Sequence, residues 1–278
     1  MQRLSQRLSV SQFSSFRWSF FQDVIKYSKL GFQSIGLWRQ KVDEFGFDEA
    51  ADLLFEMRMN VSSISWAGGF TGSEGNSYKL AVEDAIDAIH QAHLVGAKNL
   101  IVHPGGRNGH TETHALRLVK SGLREILPLA QDFGVQLLVE PNIKARNPWS
   151  FINSCDTYLH LLDNFGDSEL GLVLDLFHIG NDQDFLKKLP LYANRIELVQ
   201  IADATYRNHE RVRCPLGQGN IPINHWLNLL SDCDYCGDFE IELHGFEFEN
   251  AVYENLLAQS QNFLAATGSG ILSSTSSN

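Results

Sequence analysis

The sequence predicts an α/β fold of one domain, a closed (β/α)8 TIM barrel, on three observations. Short apolar runs of strand length alternate with longer stretches of helical period, and the alternation occurs eight times. Strand followed by helix, repeated, is the pattern of parallel strands joined by crossover helices. The chain has 278 residues, and one barrel of roughly 250 residues uses nearly all of them.

The strand candidates, in order, are residues 7–11, 33–37, 61–65, 98–103, 135–140, 170–175, 196–201 and 238–243. The first needs a decision, because residues 1–22 hold Arg3, Arg7, Arg17, several serines and no acid, the composition of a transit peptide. Leu8-Ser9-Val10-Ser11 is read as a strand, since the rest of the chain supplies only seven. Apolar residues at helical spacing run from Asp48 to Met57, Ala81 to Leu94, Leu116 to Ala130, 151–163, 182–189 and Ala251 to Leu264. Glycine stop signals follow at Leu30-Gly31, Val95-Gly96, Phe133-Gly134 and Phe165-Gly166. No Gly-x-Gly-x-x-Gly follows the first strand, which argues against an open, doubly wound sheet. The barrel is expected to occupy residues 1–267, with 268–278 a small, polar, disordered tail.

Composition removes several classes. The net charge is −11 with no Lys/Arg-rich block, so a nucleic-acid partner is not expected. There is no apolar run of about 18 residues, so neither is a membrane span. Cys155, Cys214, Cys233 and Cys236 are too few and too unevenly placed for a disulfide framework. Cys233 and Cys236 have the spacing of a metal knuckle but lack a second pair, and read as free thiols in a reduced, cytoplasmic protein.

Barrel enzymes carry their chemistry at the C-terminal ends of the strands. Here the fourth run ends in His103, the fifth in Glu140, the sixth in Asp175, and the seventh carries Gln200. The eighth holds two acids on one face, Glu240 and Glu242, and spacing does not choose between them. Side chains alternate along a strand. Gln136, Leu138 and Glu140 therefore share a face, as do Gly171, Val173 and Asp175, and Ile196, Leu198 and Gln200. Each polar residue sits at the rim of an inward face, above apolar layers. Acids crowded at adjacent strand ends repel one another, and a divalent cation compensates directly. Carboxylate and amide oxygens favour Mn²⁺ or Mg²⁺, with Zn²⁺ or Co²⁺ as alternatives. Arg207, Arg211 and Arg213 crowd the loop after the seventh run, which suits an anionic or hydroxyl-rich ligand. Gly105-Gly106-Arg107 offers a weaker phosphate signal, and Trp38 and Trp66 either wall the pocket or pack beneath it.

The segments Val139-Glu140-Pro141-Asn142, Leu174-Asp175-Leu176-Phe177-His178 and Val199-Gln200-Ile201-Ala202-Asp203 occur in an order and spacing similar to the xylose-isomerase-like sugar isomerases and epimerases. Leu216-Gly217-Gln218-Gly219-Asn220-Ile221 and Ile241-Glu242-Leu243 continue the resemblance over nearly the whole chain. It implies one metal held by Glu140, Asp175, Gln200 and Glu242, with Glu140 and Glu242 doubling as acid and base. Gln200 looks closest to the hydroxypyruvate-isomerase version, and the family match selects Glu242 over Glu240. It also implies that His178 and Arg207 hold substrate oxygens, with His103 beside them. The expected activity is isomerisation or epimerisation of a small sugar, keto-sugar or sugar phosphate through an enediolate, in a homodimer or homotetramer. Rival readings are a keto-inositol dehydratase, an endonuclease IV-like phosphoesterase and a non-catalytic sugar-binding barrel. The endonuclease branch shares His103, but has Asp-x-His where this chain has Arg211 and Arg213, and a histidine near the place of Trp66.

Overall fold

A computed structural model describes residues 7–141 and 150–267. The chain runs β1 (Leu8–Ser11), α1 (Phe20–Lys29), β2 (Ser34–Trp38), α2 (Arg39–Phe45), α3 (Phe47–Glu56), β3 (Asn60–Gly68), α4 (Tyr78–Leu94), β4 (Asn99–His103), α5 (Glu112–Asp132), β5 (Gln136–Val139), α6 (Cys155–Leu162) and β6 (Leu170–Asp175). It continues through α7 (Leu176–Ile179), α8 (Gln183–Tyr192), β7 (Ile196–Ile201), β8 (Asp203–Arg207), β9 (Glu210–Cys214), α9 (Ile223–Asp232), β10 (Asp238–Ile241) and α10 (Tyr253–Thr267). Eight strands close into a parallel barrel in the order β1-β2-β3-β4-β5-β6-β7-β10, while β8 and β9 form a separate antiparallel hairpin. The expected tail 268–278, Arg3 and Asn142 lie outside the described residues. Among the described residues, no helix is long and apolar enough to cross a membrane.

All eight expected runs are barrel strands, and Leu8–Ser11 is the first of them. Four helices are additions to the sequence reading, among them the single turn α7. α1 opens with a capping box in which Ser19 and Gln22 exchange hydrogen bonds, and it buries Phe20, Val24 and Tyr27. α2 follows β2 directly, with Trp38 at its N-cap and no side-chain cap bond. α9 packs Ile223, Trp226, Leu227 and Leu230 at helical spacing, but starts after Pro222 without a side-chain cap, so its start signal is missing. The hairpin is the largest addition. Its turn is made by Asn208 and His209, both at positive φ, in a stretch dominated by charged and polar residues. Neither the turn nor the alternation is marked by glycine or an apolar face.

The inward faces carry the layers expected of them. Ile101, Leu138, Val173 and Leu198 form a fully buried apolar cluster of their own, separate from the larger core between sheet and helices. The other half of the interior is polar. Ser62 and Ser63 each donate to Glu240 Oε2 at 2.8 Å, and Ser62 Oγ lies 2.6 Å from Ser9 Oγ. Gly36 makes room for that carboxyl, because a Cβ there would collide with it. Gly36→Ala is therefore expected to destabilise the fold by ~1–3 kcal/mol, the usual cost of overpacking. Urea unfolding checks this, and an unchanged midpoint would mean that Glu240 moves aside freely.

Candidate functional site

The polar rim forms where the ladders of β5, β6, β7 and β10 end. Glu140 and Glu242 lie just past their strands, tied by backbone N–H bonds to Val102 O and Ile201 O. Asp175 closes β6 and caps α7, accepting the Phe177 N–H on Oδ1 at 2.7 Å. The cap holds Oδ1 outward and leaves Oδ2 facing the rim. An oxygen of Glu140, an oxygen of Asp175 and a ring nitrogen of His178 lie within 4.8 Å of one another. Gln200 Nε2 donates to Glu242 Oε2 at 2.9 Å and lies 3.4 Å from Glu240 Oε1. His103 Nε2 is 3.6 Å from Glu140 Oε2, and His178 Nε2 is 3.4 Å from Asp175 Oδ2. The named strand-end residues thus meet at one mouth, and His178 stands near enough to be a ligand as well as a substrate contact.

Burial decides the electrostatics. Glu140 is raised well above the ordinary carboxylate range by desolvation, then by the charges of Glu242 and Asp175. Glu242 is raised too, by burial first, with Arg213 opposing. Glu240 is also raised by its burial, against the serines that donate to it. Burial and the neighbouring His178 push His103 down to about 4, so its ring is neutral at physiological pH. Among the described residues, Gln200 Oε1 and Asp175 Oδ2 are buried without a hydrogen bond, the latter with only the loose charge contacts of His178 Nε2 and Arg213 Nη2 at 3.4 and 3.6 Å. Buried acceptors left so cost ~1–3 kcal/mol each. Oxygens short of hydrogen bonds, among carboxylates that burial disfavours, are a set that a divalent cation fits.

Arginine enters from the hairpin. Arg213 is buried, with Nη2 3.4 Å from Glu242 Oε1 and 3.6 Å from Asp175 Oδ2. Arg207, expected at the substrate, is instead at the exposed hairpin tip, paired across the turn with Glu210. The correction follows from pairing: Arg207 sits at the turn, while Arg213 pairs with Ala204 near the barrel end. Arg213→Ala is accordingly expected to weaken substrate binding at least ~10-fold, the scale of ~1.4 kcal/mol, and Arg207→Ala by less than ~2-fold. Titration of both variants with one confirmed ligand checks the order, and equal losses would overturn it.

Asp203 was visible only as part of a motif, and the structure gives it work. Its carboxylate accepts the N–H groups of Ala204, Gly217, Gly219 and Ile221 at 2.8–3.1 Å. That knot ties the Leu216–Ile221 loop to the base of the hairpin. In the Gly105-Gly106 loop the Gly106 N–H is already taken, donating to Ser73 Oγ at 2.7 Å. Trp38 lines a cleft of about 460 Å³ with Phe13, Phe177 and Arg213, and Trp66 meets the His103 ring edge-on at 5.7 Å. All four cysteines are free thiols, none of them at the rim.

The profile of the xylose isomerase-like TIM barrel family matches residues 24–267. A comparison with curated proteins gave no match. Among solved structures, protein SMc04130 from Sinorhizobium meliloti 1021 superposes with a TM-score of 0.86 at 20% identity, over 95% of this chain and 98% of that one. The IOLI protein, solved with a bound zinc atom, gives 0.79 at 16% identity, over 96% and 99% of the two chains. An L-ribulose 3-epimerase gives 0.76 at 17%, over 98% and 99%. At such identities the likeness is one of fold. The profile match covers most of the sequence and agrees with the closed barrel, so this chain belongs to the xylose isomerase-like TIM barrel family.

Proposed function

We propose that this protein is a divalent-metal-dependent isomerase or epimerase of a small keto-sugar or related carbonyl compound, with Glu140 and Glu242 as its acid/base pair. The observation that carries the reading is the pair of acceptors, Asp175 Oδ2 and Gln200 Oε1, buried among carboxylates at the barrel mouth without a hydrogen bond among the described residues. Glu140, Asp175, Gln200 and Glu242 would hold the ion, and their oxygens suit Mn²⁺ or Mg²⁺. When bound, the ion polarises a substrate carbonyl and offsets the charge that develops as the neighbouring carbon loses its proton.

The protein's own groups supply the rest. Glu140 follows β5 and Glu242 follows β10, with β6 and β7 between them in the barrel. A ligand seated over Asp175 and Gln200 has one carboxyl on each side. One takes the proton from carbon; return of a proton by the other, from the opposite face, inverts that carbon, whereas return by the same group to the neighbouring carbon isomerises the molecule. His178 and Arg213 orient substrate oxygens, and the neutral His103 steadies Glu140.

Metal analysis followed by a solvent-deuterium exchange screen tests the reading. The screen covers ketoses, ketose phosphates, hydroxypyruvate and an inosose. The expected result is deuterium next to the carbonyl, dependent on Mn²⁺ or Mg²⁺, with product mass otherwise unchanged. Loss of water from the product would instead make it a dehydratase, and binding without exchange a binding barrel.

A further inference from the structure

Arg213 reaches the carboxylates on one side and, with Arg211, lines an aromatic cleft on the other. Phe13, Phe16, Trp38 and Phe177 line that cleft together with Arg211 and Arg213, and His244, Gly245, Val212 and Glu247 complete it. Both guanidinium groups stack on the Phe177 ring, Arg211 at 5.1 Å and Arg213 at 4.0 Å from its centroid. Phe13 and Trp38 form a tilted pair at 5.1 Å, and Phe13 also stacks on Trp66 at 6.3 Å. The aromatic wall is therefore continuous with His103 and the carboxylate rim.

Two features of this cleft point to the chemistry of its ligand. The first is donors without acceptors. Arg213 is only 7% exposed, and its Nε is buried with no hydrogen-bond partner among the described residues. Arg211 Nη2 is in the same condition. Buried N–H groups of charged side chains are costly to leave unpaired, and a planar carboxylate or a phosphate satisfies two at once. The second is charge. Arg211 and Arg213 bring two positive charges to a cleft whose lining holds one carboxylate, Glu247, and a divalent cation at the neighbouring rim would add to them. The aromatic side chains add that part of the ligand is apolar or planar, since Phe13, Phe16 and Phe177 offer no hydroxyl a hydrogen bond.

We propose that the site takes a small carbonyl compound bearing one anionic group, a carboxylate or phosphate, held by Arg211 and Arg213, with an apolar or planar face against Phe13, Trp38 and Phe177. This narrows the substrate class within the reading above and rests on it for the cation. A neutral polyhydroxylated ketose is a poor match for the same walls.

Probes that differ in charge test it without turnover. Isothermal titration of the full chain with Mn²⁺ present would compare benzoate with benzamide, phenyl phosphate with phenol, and all four with D-fructose. The expected result is that benzoate or phenyl phosphate binds at least ~10-fold more tightly than its neutral partner and than D-fructose. Which of the two anions leads distinguishes carboxylate from phosphate. Arg211→Gln should abolish that preference, whereas Arg211→Lys, which keeps the charge but not the fork, should retain part of it. Circular dichroism establishes that both variants are folded. Equal binding of benzoate and benzamide overturns the proposal, and so does anion binding that is unchanged in Arg211→Gln, because the anion would then sit on the metal alone. The two readings fail separately. Metal-dependent exchange on a neutral ketose with no anion preference removes this inference and leaves the proposed function. Arginine-dependent anion binding with no exchange on any carbonyl compound does the reverse.

Discussion

Glu242→Gln is expected to lower solvent-deuterium exchange by about 10²–10⁴-fold, the range for removing one general acid or base, and to weaken divalent-cation binding with it. The substitution keeps shape and keeps an acceptor for Gln200 Nε2, now 2.9 Å away. What it removes is the charge that pairs with Arg213 at 3.4 Å and the atom that exchanges a proton. A thermal midpoint close to that of the parent would show that the loss is chemical. Glu140→Gln should behave alike, since Glu140 stands in the same cluster. Full turnover of Glu242→Gln on a confirmed substrate would sink the assignment. The pH dependence has a definite sign. Both carboxyls are raised by burial, so protons compete with the cation over a range above that of ordinary carboxylates. Cation affinity should therefore fall as pH is lowered through that range, more steeply than for a solvent-exposed carboxylate site. Mn²⁺ titrations at a series of pH values would read the slope.

Lys41→Met is expected to cost ~3–5 kcal/mol of stability at neutral pH, because it strips the partner from a buried charge. Lys41 on α2 and Asp23 on α1 are 5% and 0% exposed and pair at 2.8 Å. Lys41 also donates to Ser15 O, and Asp23 accepts from Ser15 Oγ and Gln12 Nε2. Burial pushes both members toward neutrality, raising Asp23 to about 6 and lowering Lys41. A raised carboxyl contributes stability below its unfolded value near 3.8 and loses it as pH rises through about 6. Without Lys41, Asp23 is raised further and escapes its cost only by protonation. The penalty should shrink as pH falls toward about 6 from above, where the variant's Asp23 takes up a proton before the parent's does, and urea unfolding across that range would show whether it does. A penalty independent of pH would mean that packing, not charge, is lost. Because Gln12 Oε1 also accepts the Trp38 N–H, this network anchors one wall of the cleft.

The barrel was legible because parallel strands covered on both faces read as unbroken apolar runs, and Leu137-Leu138-Val139 or Leu172-Val173-Leu174 could hardly be anything else. The rim was legible for the same reason: one polar residue at the end of such a run has few places to go. Glu240 and Glu242 share a face and cannot be separated by periodicity. The structure separates them by depth, since Glu240 takes its hydrogen bonds from Ser62 and Ser63 inside the barrel. Arg213 could not be preferred to Arg207 without knowing that residues 203–214 fold back on themselves, a fact of cross-strand pairing. The anchoring of α1 to α2 was invisible too, because Asp23 and Lys41 are ordinary surface residues until the fold buries them.

The hairpin has one more consequence. The proposed acid/base pair, Glu140 and Glu242, lies just past strands held by barrel ladders, whereas the arginines ride on a two-stranded flap tied down at its root by the Asp203 carboxylate. In the proposed reading, chemistry and recognition are therefore inherited on different pieces of chain. Exchange of residues 204–213 for another hairpin of equal length would leave Glu140, Asp175, Gln200 and Glu242 where they are and change only what is admitted to them. Alternation makes the flap a sensitive selector: a one-residue slip would put Val212 where Arg213 stands. A catalytic engine with an interchangeable front end is the kind of architecture from which many specificities can be drawn without rebuilding the barrel.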